Sequence, residues 1–250
     1  LFVFDCGTLI SNKPETYGLT REEVKDTNFA VTCYLIDHPQ GKILFDTGLP
    51  DRFVGRPVHE NVTRTGMQQI KINTLSGQLA DIGYLPKDID YLILSHRHHD
   101  HLGNANLFRD SSWLVEKVER DFMFSDAGRA QPIYWYYDQL INSKFKYIED
   151  NHDVFGDGSV TYIRTPGHTD GHGSLKVNLK NSGPKILSGD LYHYHEELTL
   201  DRMPEKEKKT GTKESREKIQ AISVSEKAEL WIGHSMEFFR NVKKSPIYYD

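Results

Sequence analysis

Residues 95–103 of this chain combine imidazole and carboxylate side chains at a spacing that suits metal binding. The run reads Ser-His-Arg-His-His-Asp-His-Leu-Gly, so that His96, His98, Asp100 and His101 fall within six residues. Imidazole nitrogens and carboxylate oxygens are ligands that zinc and similar divalent cations accept. We therefore interpret the run as a metal-binding motif rather than as a histidine-rich surface stretch.

A short strand is expected to position this motif. Residues 91–94 form the apolar run Tyr-Leu-Ile-Leu, which ends where the motif begins. Ahead of it, apolar residues recur at helical spacing from Ile72 to Ile82, and Gly83 stands where a helix would stop. The order helix, turn, strand and ligand indicates an α/β fold, which places reactive side chains at the carboxyl ends of strands.

Three later positions repeat the arrangement of an apolar run, a glycine and a side chain that can bind metal. They are Gly167-His168, Gly189-Asp190 and Gly233-His234. One such turn alone more often carries an ordinary histidine. The recurrence of three after the dense motif indicates that they complete its ligand set.

Together these residues resemble the signature of the metallo-β-lactamase superfamily of hydrolases, which is HxHxDH followed by separate His, Asp and His ligands. The resemblance covers most of the chain and includes the turn Asp46-Thr47-Gly48, whose Asp usually orients a metal ligand. It implies an α/β protein built as an αββα sandwich, with a dinuclear metal site at one edge between the sheets. No linker or abrupt change in composition divides the 250 residues, so we expect a single domain over residues 1–250.

The resemblance also implies two divalent metal ions per chain, with Zn²⁺ as the leading candidate. The first ion would be held by His96, His98 and His168. The second ion would be held by Asp100, His101 and His234, and Asp190 would bridge the two ions. A water or hydroxide shared by the two ions would attack the substrate. Asp100 could also carry a proton to the leaving group. The same ligands suit manganese, cobalt or iron.

The residues after Asp190 resemble those of the N-acyl homoserine lactonases within this superfamily. In those enzymes a Tyr three residues after the bridging Asp points at the substrate carbonyl group. His193 holds that position here, between Tyr192 and Tyr194. We expect His193 or one of the flanking tyrosines to donate a hydrogen bond to the substrate. The alternative is that all three lie at the rim of the site.

The resemblance therefore implies a metal-dependent hydrolase that opens the lactone ring of N-acyl homoserine lactones, which would silence bacterial quorum signals. The alternatives are other hydrolases of the same fold: a glyoxalase II-like thioesterase, a general lactonase or a phosphotriesterase. An iron-dependent persulfide dioxygenase fits less well, because it uses a single iron site and the full seven-ligand set is present here. The chain has no Gly-x-Ser-x-Gly motif that would indicate a serine nucleophile.

Three further segments have expected places. Residues 13–26 would form a loop near the mouth of the site. The aromatic segment 108–147, which contains Tyr-Trp-Tyr-Tyr at 134–137, would either wall a pocket for an acyl chain or pack a helix onto the sheet. The mixed-charge segment 205–218 is interpreted as an exposed loop and helix face.

The composition of the chain limits the kinds of binding partner that we expect. The 31 basic and 36 acidic residues are interspersed and give a net charge of −5, so nucleic acid is not an expected partner. We expect a small-molecule lactone as partner and no membrane insertion, and leave a homodimer open. The compartment is open between cytoplasmic and, if a leader precedes Leu1, periplasmic or secreted. Cys6 and Cys33 lie in apolar surroundings, and we expect buried free thiols rather than a disulfide.

Overall fold

Two β-sheets form the centre of the fold in the computed structural model, which describes residues 1–58 and 66–250. The strands of the larger sheet are β1 (Phe2–Ile10), β2 (Phe29–His38), β3 (Gly41–Phe45), β4 (Gln68–Ile70), β5 (Tyr91–Ile93), β6 (Ser112–Val115) and β7 (Phe145–Tyr147). Their order across the sheet is β4-β1-β2-β3-β5-β6-β7. The pairs from β4 to β3 are antiparallel, and those from β3 to β7 are parallel.

The smaller sheet follows in the second half of the chain. Its strands are β8 (His152–Asp153), β9 (Val160–Arg164), β10 (Gly173–Leu179), β11 (Gly183–Leu187) and β12 (Glu229–Trp231). The order is β12-β11-β10-β9-β8, and the one parallel pair joins β11 to β12. Strands β5, β9, β11 and β12 thus match the four apolar runs that the sequence places before its candidate ligands.

Seven α-helices lie between or after these strands in the described residues. They are α1 (Leu75–Asp81), α2 (His99–Leu102), α3 (Lys117–Met123), α4 (Asp126–Arg129), α5 (His195–Thr199), α6 (Thr212–Glu226) and α7 (Met236–Asn241). None of them is long and apolar enough to cross a bilayer. Two short 3-10 turns, Pro14–Tyr17 and Glu205–Glu207, also matter because both border the candidate site.

The apolar side chains define the layers. Tyr34 and Phe45 of the larger sheet pack against Leu175 and Trp231 of the smaller sheet, which fills the space between the sheets. The other face of the larger sheet packs against α1, and the other face of the smaller sheet packs against α6 through Ile219. This helix-sheet-sheet-helix order confirms the expected αββα sandwich.

The predicted helix before the motif is confirmed but is shorter than its apolar pattern. It begins at Leu75, because the hydroxyl of Thr74 accepts a hydrogen bond from the Gly77 amide at 3.0 Å and caps the helix there. Ile72 lies outside it and is 70% exposed. Gly83 follows the helix with a φ of 83°, the left-handed conformation that favours glycine.

The expectation of free thiols is wrong, because Cys6 and Cys33 are joined by a disulfide. They lie on the adjacent strands β1 and β2, with Cα atoms 6.0 Å apart, a separation that a disulfide spans. Both side chains are fully buried and lie against Gly48, where a Cβ would come within 2.3 Å of the Cys6 Cβ. The pairing depends on the strand register, which the sequence does not show.

Candidate metal centre

Four loops meet at one edge of the sandwich and carry all seven predicted ligands. Each loop follows the carboxyl end of one strand: β5, β9, β11 or β12. The glycines that precede the later ligands allow close contacts. A Cβ on Gly189 would lie 2.6 Å from Nε2 of His172, and one on Gly167 would lie 2.3 Å from the Thr212 amide nitrogen.

The first ligand group consists of His96, His98, His168 and Asp190, whose ligand atoms all lie within 4.8 Å of one another. Nδ1 of His98 is 2.8 Å from Nε2 of His96 and 2.9 Å from Nε2 of His168. Burial, followed by the neighbouring imidazoles, lowers the pKa of His96 and of His98 well below the ordinary histidine value. Their rings are therefore neutral near pH 7, which is the form that binds metal.

The second ligand group consists of Asp100, His101 and His234. Asp190 lies between the two groups and divides its carboxylate between them. Its Oδ2 is 3.2 Å from Nε2 of His168, and its Oδ1 is 3.1 Å from Nε2 of His234. Burial would raise the pKa of Asp190, but the surrounding imidazoles hold it well below the ordinary value. This carboxylate is placed to contact ions in both groups.

Most of the imidazoles are held by their outer nitrogen. Nδ1 of His96 donates to Ser95 Oγ at 3.0 Å, and Nδ1 of His101 donates to Asp46 Oδ2 at 2.8 Å. Nδ1 of His168 donates to Glu207 Oε1 at 2.9 Å, and Nδ1 of His234 donates to the Ala30 carbonyl at 2.6 Å. Each Nε2 consequently faces the centre. Such outer contacts fix the tautomer and the orientation of a metal-binding histidine. Asp46 has the orienting contact that was expected of it from the sequence.

The donor set fits two divalent cations. Nε2 of His101 and Oδ1 of Asp190 are fully buried, and neither makes a hydrogen bond to the described residues, although they lie only 3.0 Å apart. Burial lowers the pKa of His101, but three carboxylates, those of Asp190, Asp100 and Asp46, outweigh it and raise this pKa well above the ordinary value. Buried polar atoms without partners are costly. Cations between the two groups would satisfy both atoms.

Glu207 is an orienting residue that the sequence does not reveal. The segment 205–218 was expected to be exposed, but Glu207 is 2% exposed and its Oε2 accepts a hydrogen bond from the Thr212 hydroxyl at 3.1 Å. Burial opposes ionisation, but the hydrogen bond from His168 holds the pKa of Glu207 at about 2. Nothing in the local sequence distinguishes it from Glu205, which is exposed.

Glu119 on α3 is a second such residue. Its Oε1 accepts from the Arg97 amide at 2.9 Å and from the Thr169 hydroxyl at 2.8 Å, and its other oxygen pairs with the Arg97 guanidinium. It therefore ties the turn that carries His98 to the turn that carries His168.

His172 holds Asp190 from behind. Its Nε2 accepts from the Asp190 amide at 2.9 Å, and its Nδ1 donates to the Thr165 carbonyl at 2.9 Å. Burial, followed by the charge of His168, lowers the pKa of His172 to about 3. Because both ring nitrogens are already engaged, His172 positions a ligand and is not itself placed to bind an ion.

A cavity of about 940 Å³ opens onto both ligand groups. The N-terminal loop contributes Lys13, Thr16 and Tyr17 to its wall, which agrees with the expected place of residues 13–26. Residues of the aromatic segment divide between the cavity wall and the core. Trp135 lines the cavity, whereas Tyr137 is buried in the core.

His193 and Asp100 are the candidates for substrate chemistry that border this cavity. Nε2 of His193 is 3.4 Å from Asp190 Oδ2, and its Nδ1 is 3.5 Å from Glu197 Oε2. Burial lowers the pKa of His193, but these two carboxylates raise it to about 10. Burial would raise the pKa of Asp100, but nearby imidazoles, first that of His99, hold it at about 2.

Tyr192 and Tyr194 do not line the cavity, which corrects the expectation that either one reaches the substrate. The Tyr192 ring packs in the cluster beneath α6, and its hydroxyl accepts from Gln220 Nε2 at 2.9 Å. The Tyr194 hydroxyl donates to the Thr27 carbonyl at 2.9 Å. Both phenols are held in the interior by these contacts.

Glu207→Leu is expected to weaken metal binding about 10- to 100-fold, because His168 loses the acceptor that orients it. Competition with a chromophoric chelator measures this affinity. The matched control is Glu205→Leu, two residues away, since Glu205 is exposed and contacts only Lys208 among the described residues. Equal affinities in the two variants would show that Glu207 does not orient a ligand.

His172→Gln is expected to flatten the acid side of the stability profile of metal-free protein. The pKa of His172 lies at about 3 in the folded chain against an ordinary 6.5, so between these values the unfolded chain binds more protons and stability falls as pH falls. Removing the His172 imidazole should reduce the slope of the unfolding free energy against pH by up to about 1.4 kcal/mol per pH unit. Urea unfolding at pH 4 to 6.5 measures it, and parallel slopes would contradict the assignment.

Known proteins show the same fold and similar sequences. The model of the metallo-beta-lactamase superfamily matches residues 26–228. An N-acyl homoserine lactonase from a Bacillus species is 30% identical over 234 residues, covering 92% of this chain and 90% of its own. The N-acyl homoserine lactonase AttM of Rhizobium radiobacter is 28% identical, and the alignment covers 100% of this chain and 98% of AttM.

Among solved structures, a variant of Bacillus thuringiensis AiiA with N-decanoyl-L-homoserine bound at the active site superposes with a TM-score of 0.80. It is 25% identical to this chain, and the alignment covers 100% of this chain and 98% of the other. Since the family match extends over most of the sequence, this protein belongs to the metallo-beta-lactamase superfamily.

Proposed function

We propose that this protein is a metal-dependent lactonase that opens the lactone ring of N-acyl homoserine lactones. One observation carries the proposal: two His/Asp ligand groups, joined by the carboxylate of Asp190, form the floor of a cavity that aromatic side chains wall. Relatives that are similar over nearly the whole chain bear the name of this activity. We propose further that residues 1–250 act as one domain, since the ligands span both sheets.

Seven residues would hold two divalent ions, for which zinc is the leading candidate. The first ligand group would hold one ion, the second ligand group the other, and Asp190 would contact both. When bound, such ions make a water acidic enough to attack near neutral pH and polarise the carbonyl group under attack. The neutral rings of His96 and His98 and the ionised Asp190 are in the protonation states that this binding needs.

Asp100 is placed to move the proton. Hydrolysis adds a hydroxyl to the lactone carbonyl carbon and breaks the ring C–O bond, so the leaving oxygen needs a proton. The Asp100 carboxylate borders the cavity and is ionised at neutral pH, because its pKa is about 2. It can take the proton that the attacking water releases and deliver it to the leaving oxygen.

His193 is placed to orient the substrate. With a pKa raised to about 10 its ring is protonated near neutral pH, so that both nitrogens carry a hydrogen that can be donated. Nδ1 lies towards Glu197, and the ring borders the cavity beside Asp190. Apolar side chains farther along the wall, which include Phe53, Ile133 and Trp135, would contact the acyl chain.

The experiment that tests the function compares substrates of the competing hydrolases. Metal-loaded protein is offered N-acyl homoserine lactones of several chain lengths, a thioester and an aryl phosphotriester, and turnover is followed in a pH-stat or by product absorbance. We expect kcat/KM for the best lactone to exceed that for the other two classes by at least about tenfold, a difference of about 1.4 kcal/mol in transition-state stabilisation. Faster turnover of the thioester or the phosphotriester would replace this function with the corresponding one.

A further inference from the structure

Tyr17 is held rigidly at the cavity by the N-terminal loop. It is the last residue of the 3-10 turn Pro14–Tyr17, and the next residue, Gly18, has a φ of 75°. A Cβ on Gly18 would lie 2.7 Å from the Met203 carbonyl oxygen, so the chain packs closely there. Leu19 then enters the core with 2% exposure. Pro14, at the other end of the turn, is buried as well, so the turn is anchored on both sides and the position of Tyr17 is fixed.

Aromatic contacts fix the ring of Tyr17 as well. Its centroid lies 4.4 Å from that of His193, 5.2 Å from that of Phe29 and 5.4 Å from that of Tyr194. The ring packs edge-on against Phe29 and Tyr194, and it also lines the cavity. Tyr17 and His193 thus stand side by side at the floor, although 176 residues separate them in the sequence.

The hydroxyl of Tyr17 is an unused donor near the ligand groups. It makes no hydrogen bond to the part of the chain that the structure describes, whereas the hydroxyl of its neighbour Tyr194 is bonded to a carbonyl. Burial, and then the negative charge of Asp190, raise the pKa of Tyr17 far above the ordinary tyrosine value; Asp100 acts in the same sense. The phenol therefore keeps its proton near neutral pH.

We propose that Tyr17 is a catalytic residue whose hydroxyl donates a hydrogen bond to the carbonyl oxygen of the lactone under attack. The inference rests on the proposed function. Tyr17 lines the same cavity as Asp190 and Asp100, which belong to different ligand groups, and its ring lies 4.4 Å from that of His193. Its hydroxyl is therefore available to the space where the reacting carbonyl must sit. Negative charge develops on that oxygen during attack, and a preorganised donor stabilises it. His193 stands where the N-acyl homoserine lactonases carry a tyrosine, and Tyr17 supplies the phenol hydroxyl in its place.

Tyr17→Phe tests this role, because it keeps the ring contacts and removes only the hydroxyl. We expect kcat to fall about 100-fold, the usual effect of losing one such donor, with a much smaller change in KM. Metal content and melting temperature should stay at the wild-type values. A cyclic phosphonate analogue, which carries a charged oxygen at the carbonyl position, should lose affinity by about the same factor as kcat.

Tyr194→Phe is the matched control, since Tyr194 packs on the same ring but lies outside the cavity. It should lower the melting temperature through loss of the bond to Thr27 and leave kcat within about twofold of wild type. The inference is overturned if Tyr17→Phe retains wild-type kcat, or if its loss lies in KM with a fall in melting temperature like that of Tyr194→Phe. If wild-type protein opens no lactone at all, the proposed function fails and the role of Tyr17 fails with it.

Discussion

The structure depends on the compensation of charge around Asp190. Five imidazoles approach this one buried carboxylate, three at Oδ2 and two at Oδ1, within 3.0 to 3.5 Å. Rings held this closely repel one another when protonated, and leave lone pairs without partners when neutral. Cations at the two ligand groups would resolve this conflict, because they would accept those lone pairs and offset the carboxylates. As a set, the seven side chains fit two divalent cations.

The seven candidate ligands are positioned by contacts from both halves of the sandwich. Asp46, at the end of β3 in the larger sheet, holds His101, and Ala30 at the start of β2 holds His234 from the smaller sheet. Glu207 holds His168 from the segment before α6. Each contact fixes an outer ring nitrogen and so directs the inner nitrogen to the centre. The contact between His234 and Ala30 also joins the two sheets, in addition to the apolar layer between them.

The seven candidate ligands were predictable because their signal is local. His96, His98, Asp100 and His101 lie within six residues, and the later ligands each follow an apolar run and a glycine. Those runs became β5, β9, β11 and β12, and the glycines stand where a side chain would collide with a neighbour. Sequence spacing and backbone geometry agree at these positions, so the fold and the ligand set followed from the sequence.

The remaining site residues depend on contacts between distant parts of the chain. Glu207 meets His168 across 39 residues, and nothing in a run of mixed charges marks it as buried. Tyr17 contacts His193 from a loop, and the loop sequence does not indicate which residue it approaches. Cys6 pairs with Cys33 because of the register between two strands, which the sequence does not show either. Local residue type indicated Tyr192 and Tyr194 instead, but the structure engages their hydroxyls in the interior.

In the proposed site, the carboxylate of Asp190 joins two metal ions. Anomalous diffraction from crystals of zinc-loaded protein, recorded on both sides of the zinc absorption edge, tests it most directly. We predict two peaks per chain, one among His96, His98 and His168 and one among Asp100, His101 and His234, with one oxygen of Asp190 at about 2.0 to 2.2 Å from each. A single peak, or two peaks of which only one contacts Asp190, would show that Asp190 does not join two ions.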